Sequence, residues 1–247
     1  MSQITEIGQE DHVQLQRDVQ AQTRRAAWFE EAAQTYASLL WDKVGESLVL
    51  ARVFATVPFG KLPASNQAFV RKLADSTGIT ELIGDDTLVL SLMGSRGQEP
   101  AWNDRHSSQG HVGIPLASAD FIDAIPMMSR LLRQMGMGLD WIDKRDTGLV
   151  AKTLGATSGV FYVREAREET DIQGRKIIAA QDFVEKYGVK TVFGLGGGFV
   201  GTSTFMTSII FCTEQLDKEQ AEAFMPQVNR MKVSTMELVK SGKLLKN

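Results

Sequence analysis

The run YGVKTVFG (187–194), the glycine cluster LGGGFVG (195–201) and the run TSTFMTSIIFC (202–212) follow one another without a gap, and a helix opens at Asp217. Gly196, Gly198 and Gly201 fit the spacing G-x-G-x-x-G, which in a dinucleotide site stands after a strand and opens a helix whose N-terminus faces pyrophosphate. Here a second strand follows instead. Thr204 to Phe211 is β-branched and aromatic, with no helix-period stripe. Gly194 to Gly201 therefore reads as a hairpin tip that needs positive φ, not as a phosphate cradle. A hairpin demands antiparallel pairing, and the strands and helices upstream do not alternate as in a parallel doubly wound sheet. The expected class is α+β, a central antiparallel sheet of about five or six strands with helices on its faces.

Bulk properties narrow the partners. Lys and Arg number 27 against 30 Asp and Glu, a net charge of −3, which gives no reason to expect nucleic acid or an anionic membrane. No apolar run approaches the roughly 20 residues of a spanning helix, and Met1 to Asp11 is polar and acidic, unlike a signal peptide. The expected location is cytoplasmic. The single cysteine, Cys212, lies inside an apolar strand, which rules out an internal disulfide and reads as a buried small hydrophobe. No repeat or low-complexity linker divides the chain, so 1–247 reads as one domain. It comprises an N-terminal helix over 12–43, an α+β core over 47–212 and a C-terminal helix over 217–240.

The two framing helices share a period. Leu15, Val19, Gln22, Ala26, Phe29, Ala33, Tyr36 and Leu40 recur at steps of four and three, a heptad seam with one polar member. Ala221, Phe224, Val228, Met231, Thr235 and Leu238 repeat the rule, with Pro226 expected to kink the helix or mark a false start to it. Either each stripe packs on its own domain, or the two helices form a bundle with their copies in a second subunit, which makes a homodimer with Gln22 setting the register.

Between the helices, 47–57 (SLVLARVFATV) reads as a strand, 64–76 as a helix stopped by Gly78, and 87–93 as a second strand. Residues 94–113 form a polar, glycine-rich loop. Residues 118–135 follow a helix period with Ser118 as cap and Pro126 as interruption. Residues 159–164 form a strand, 181–186 a short helix, and 190–194 with 203–212 the last hairpin. The run from Phe183 through Leu238, with its short helix, YGVKTVF, glycine turn, long apolar strand and closing helix DKEQAEAF, resembles the C-terminal half of a GAF domain. The front is similar to it as well, a long helix leading into LVLARVFAT. Two departures stand out: Gly194 replaces the proline common at the end of the penultimate strand, and Gly94 to Thr157 is longer than the family's middle. SRGQEPAWNDRHSSQGHVGIPL and FIDAIPMMSRLL are similar to N-terminal input regions of bacterial signalling proteins. The resemblance implies a sensory module that binds a small-molecule ligand between sheet and middle loops and passes its state to the terminal helices and a signalling-protein partner.

The residues point the same way. The loop from Arg96 to His111 gathers Arg96, Glu99, Trp102, Asn103, Asp104, Arg105, His106 and His111, and polar residues with an aromatic on a long connection are typical of ligand sites. The candidate binding residues are Arg96, Trp102, Asn103, Arg105, His106 and His111; the competing reading is a solvated loop pinned by Trp102. A zinc site from His106, His111 and His12 needs Asp104 or Glu99 as a further ligand. A haem needs one axial histidine, His106 or His111, beside an apolar cavity that Met127, Met128, Met135 and Met137 could line, although methionines at helical spacing usually form plain core. The cofactor is left unassigned. Asp85, Asp86, Asp140, Asp143 and Asp146 read as caps and solvated turns. No hydrolase elbow, P-loop or zinc-protease motif is present, so catalysis on the 96–111 loop stands as a third reading behind a sensor and a ligand-free scaffold.

Overall fold

The computed structural model describes residues 1–108, 110–144 and 147–246. The chain begins with α1 (Gln9–Thr23) and α2 (Phe29–Val44), then β1 (Leu48–Pro58), α3 (Ala64–Thr77), β2 (Leu88–Gly97) and β3 (Gly113–Pro115). Four short helices follow: α4 (Ala119–Asp123), α5 (Pro126–Gln134), α6 (Asp140–Asp143) and α7 (Thr147–Gly155). The second half carries β4 (Ser158–Val163), α8 (Gln181–Lys186), β5 (Thr191–Gly198), β6 (Phe205–Cys212), α9 (Lys218–Glu222) and α10 (Met225–Lys240). Six strands form one sheet in the order β3-β2-β1-β6-β5-β4, with every pairing antiparallel. This is the α+β class expected from the final hairpin.

The sheet is buried on both faces, and strand alternation sorts side chains between two layers. Ala51, Val53 and Ala55 of β1, with Met206, Ile210 and Cys212 of β6, join Leu15 and Val19 of α1, Phe29, Tyr36 and Leu40 of α2, and Phe224 and Met231 at the start of and within α10 on one face. Leu50 and Phe54 of β1, with Phe205 and Ile209 of β6, join Met128, Leu131, Met135 and Val184 on the other. Arg52 points to this second face as well, because it stands between Leu50 and Phe54 in the alternation.

Each framing helix proves to be two. Instead of one helix over 12–43, the chain breaks at residues 24–28 and restarts at α2. The first free backbone donors of α2 are met by the C-terminal tail, Phe29 N–H donating to Lys243 O (2.9 Å) and Glu30 N–H to Leu244 O (3.1 Å). The expected helix over 217–240 breaks between α9 and α10, and Pro226 sits in the first turn of α10, where its missing N–H costs nothing. The apolar stripes pack inside this chain, α1 lying against α10. Leu15, Val19, Val228 and Thr235 are buried, Thr23 bonds Ser234 across the seam (2.6 Å), and Gln22, the expected register position, is exposed.

That seam carries a half-buried histidine. His12 lies edge-on to Phe224 at 4.9 Å. With the Gln227 amide oriented so that its nitrogen donates to Phe224 O (2.7 Å), its oxygen accepts from His12 Nδ1 (2.9 Å). Burial pulls the imidazole below its ordinary value, partly opposed by Asp11. The unfolded chain therefore takes up a proton near pH 6.5, a value about ordinary for histidine, that the folded chain resists. Stability from this site is present above that pH and is lost as pH falls below it. Urea midpoints are expected to drop between pH 7.5 and 5.5, and His12→Gln is expected to reduce that slope in part, because burial and Arg52 lower His111 as well. Asp11, Asp123 and Asp171, whose values lie below the ordinary 3.8, act only in more acidic solution.

The glycine cluster is the main correction to the sequence reading. Gly194, Gly196, Gly197 and Gly198 lie within β5, not at the hairpin tip, and of the cluster only Gly201 in the 199–204 turn has positive φ (77°). The strand needs glycine for close approach. A Cβ on Gly198 would lie 1.6 Å from Leu154 O of α7, and one on Gly196 2.1 Å from Met206 O of β6. Two further differences bear on the site. β2 continues to Gly97 inside the stretch read as loop, and β3 begins at its last residue, Gly113; the interruption expected at Pro126 within 118–135 falls there, α5 restarting at Pro126 after α4. Ser118 caps α4 as expected, its Oγ accepting from Phe121 N–H (3.1 Å).

Candidate ligand-binding site

On the second face of the sheet lies a cavity of about 330 Å³, within the lower part of the range of small-molecule sites, roughly 300–1,000 Å³. Its floor is Leu50, Arg52 and Phe54 of β1 with Leu90 of β2 and Ile209 and Phe211 of β6. Met127, Met128 and Leu131 of α5 form one wall. The opposite wall is the segment Ile177–Ala180 with Phe183 of α8. Trp102 and His111 come in from the connection between β2 and β3. Trp102 packs edge-on against Phe183 (5.7 Å) and Tyr187 (5.0 Å), and the Tyr187 hydroxyl donates to Glu99 (2.8 Å). This cluster closes one end of the cavity with aromatic surface.

Among the described residues the lining is apolar except for Arg52 and His111. Arg52 is 8% exposed, and its Nη2 donates to Ser108 Oγ at 2.7 Å. Burial lowers the guanidinium to about 10, so it remains charged at neutral pH. His111 is open to solvent on one side yet crowded by protein on the other; burial and the charge of Arg52 both pull its imidazole below the ordinary value. Among the described residues the lining includes no carboxylate. Cys212 belongs to the opposite layer, so a ligand here is held without a bond to the chain's single cysteine.

Of the six residues proposed from sequence, the structure places two at the cavity, Trp102 and His111. Arg96 projects from β2 to the other face of the sheet, its guanidinium over the Trp41 ring at 5.8 Å. Asn103 serves the backbone: its Oδ1 accepts from Gly97 N–H (3.1 Å), and its carbonyl accepts from the Gln34 side chain (3.2 Å). Arg105 is 6% exposed and makes an ion pair with Glu30 of α2. His106 is exposed and only its N–H is engaged, by Asp104 (2.9 Å). The stretch thus behaves as a built strap rather than a solvated loop. Its outer half ties to α2 and its inner half lines the cavity.

The zinc arrangement does not assemble, since His12 sits in the α1–α10 seam beyond the sheet. Among the described residues no three His, Cys, Asp or Glu side chains gather as a metal site. Of the two histidines considered for haem, only His111 reaches the cavity; Met127 and Met128 line it, while Met135 and Met137 are buried core. Asp143 accepts from Ala119 N–H (3.0 Å), a cap as expected; Asp146 lies outside the described residues. Sequence reading missed Arg52, whose one signal was a charged residue in an otherwise apolar strand, SLVLARVFATV.

No protein-family model matches the chain, and no curated protein matches it. No helix among the described residues is long and apolar enough to cross a membrane. Among solved structures, the phycocyanobilin-bound GAF domain of a cyanobacterial phytochrome is similar at 10% identity and a TM-score of 0.49, over 93% of this chain and 96% of that one. The GAF domain of a phosphoenolpyruvate-protein phosphotransferase from Coxiella burnetii is similar at 10% identity and 0.46, over 95% and 98%. The free methionine-R-sulfoxide reductase of Neisseria meningitidis, in complex with its substrate, is similar at 8% and 0.47, over 96% and 95%.

Proposed function

We propose that this chain is a cytoplasmic ligand-binding sensory module whose site is the cavity between sheet and α5. The observation that carries the reading is a cavity of about 330 Å³ whose described lining is apolar apart from Arg52 and His111. Such a site orients a ligand by its polar end and holds it by its body. The physical route to the terminal helices is short. Ser108 accepts from Arg52, and three residues before it Arg105 pairs with Glu30, whose other oxygen accepts from Lys246 N–H (2.7 Å). A ligand that competes for Arg52 shifts the strap, and the strap holds the start of α2 and the tail after α10. Output to a signalling partner then follows from two packings of these helices with different ligand affinity.

Because the heptad stripes are occupied within the chain, a homodimer has to use the outer faces of the terminal helices, where Val13 and Val233 are exposed. Sedimentation equilibrium is expected to show a dimer; a monomer at all concentrations removes that part of the reading. A ligand-free scaffold is the competing reading, and deleting the first 40 residues cannot separate the two, since Phe29, Tyr36 and Leu40 are fully buried core. Filling the cavity does separate them. Melting of the intact protein is measured against small carboxylates, neutral metabolites, nucleotides and tetrapyrroles, with an absorption spectrum of the protein as purified. A ligand at a hundred times its Kd is expected to add about 3 kcal/mol, a rise of about 5–10 °C. Met128→Trp is expected to abolish the rise while changing the ligand-free stability by less than about 2 kcal/mol. A protein stabilised by no compound sinks the sensor reading.

A further inference from the structure

We infer that the cavity takes an apolar monoanion, a carboxylate of an aliphatic chain or small aromatic body, with its head group at Arg52 and His111 and its body between Phe54, Met128 and Ile209. The inference rests on the ligand-binding reading above and adds the chemical class. Three observations carry it. Among the described residues the ionisable groups of the lining are an arginine and a histidine, which offer a ligand positive or neutral charge. Arg52 stands in mid-floor between Leu50 and Phe54, His111 lies near enough for its imidazole to feel the Arg52 charge, and the other described lining side chains are aliphatic, aromatic or thioether surface. Arg52 is held on β1, the strand flanked by β2 and β6 in mid-sheet, so its backbone is placed by the most constrained part of the fold while its guanidinium reaches Ser108 of the strap.

The chemistry follows from that placement. A guanidinium presents paired donors that match the two oxygens of a carboxylate, and in a poorly hydrated site a charge-assisted bond is stronger than the same bond in water. Ser108, already accepting from Arg52 Nη2, has a hydroxyl proton to offer the same head group. A polyphosphate would bring more negative charge than one arginine and one histidine can balance, and apolar walls would leave its oxygens without donors. An amine would bury like charge beside Arg52. A neutral body of the same shape would fill the walls without a charge-assisted bond to the guanidinium, which sets up the comparison that decides the matter.

The experiment is titration calorimetry of the intact protein with straight-chain carboxylates from hexanoate to dodecanoate and with 2-naphthoate, each against the corresponding alcohol. At least one carboxylate is expected to bind at least ~10-fold tighter than its alcohol, the difference made by one charge-assisted contact. Arg52→Gln is expected to weaken that carboxylate ~10–100-fold and leave the alcohol within about twofold. His111→Gln at the rim is expected to cost less, and Arg52→Lys to recover part of the loss, which keeps the test informative if Arg52→Gln folds poorly. Alcohols that bind as tightly as carboxylates overturn the anion inference and leave the binding module standing. Carboxylate affinity unchanged in Arg52→Gln overturns the assignment of the head group. Binding of neither series overturns the inference, whereas the sensor reading then stands or falls on the wider compound set and the Met128→Trp comparison.

Discussion

Arg105→Ala is expected to destabilise the protein by about 3–5 kcal/mol, because it leaves the Glu30 carboxylate buried without its countercharge. Arg105 and Glu30 are 6% and 8% exposed, and the pair joins the strap between β2 and β3 to the first turn of α2. Glu30 also accepts from Lys246 N–H at 2.7 Å, so the tail after α10 is fixed by the same carboxylate. Position moderates the loss, since an acidic group in the first turn of a helix is favoured by the helix dipole. Glu30→Ala, which strands the arginine instead, is expected to cost at least as much. The double change Glu30→Gln with Arg105→Met is expected to recover much of the loss, as the desolvation of both charges disappears together. Urea unfolding of the three variants reads these effects. Wild-type stability in Arg105→Ala would return Arg105 to the solvent-facing ligand contact, or the catalytic group, that the loop composition alone suggested.

Gly198→Ala carries the second large effect, a loss of more than about 3 kcal/mol or detachment of α7 from the sheet. The added Cβ would stand 1.6 Å from Leu154 O and 2.3 Å from Leu154 C, both backbone atoms, so no side-chain rotation relieves the clash. Gly201→Ala is the control: φ is 77° there, but the space beyond is open, and the cost is expected to be only about 1–2 kcal/mol. Thermal melts rank the two. Limited proteolysis within 147–155 reports whether the Gly198 variant has released α7. Equal melting temperatures would show that α7 yields without loss and that the glycines of β5 are not there for packing.

Much of the fold was legible in periodicity. The class, the strand at 47–57, the helix at 64–76 with its stop at Gly78 and the helix at 181–186 all follow from short-range patterns, and the structure keeps them within a residue or two. The misplacements have a common cause. Glycines in β5 were read by their turn propensity, yet what decides their place is the Leu154 carbonyl, which approaches from 44 residues earlier. The long framing helices were read by stripe continuity. The break before α2 is capped by partners far away in sequence, the tail carbonyls of Lys243 and Leu244, and the break before α10 has Pro226 in the turn that follows.

The candidate site divides along the same line. That a long polar connection between β-strands would matter, and that Trp102 and His111 belong to it, could be read from composition. Arg105 and Asn103 share that composition, and only the packing of the strap against α2 turns them into structural ties. Arg52 shows the reverse. By itself the sequence determined an antiparallel α+β sheet and placed one arginine inside a strand of apolar residues. Which face that arginine occupies, and that methionines from α5 and aromatics from α8 meet it across an open volume, was decided by tertiary structure. Alternation fixes that neighbours in a strand point to opposite faces; what stands above each face is set by chain segments that only folding brings there.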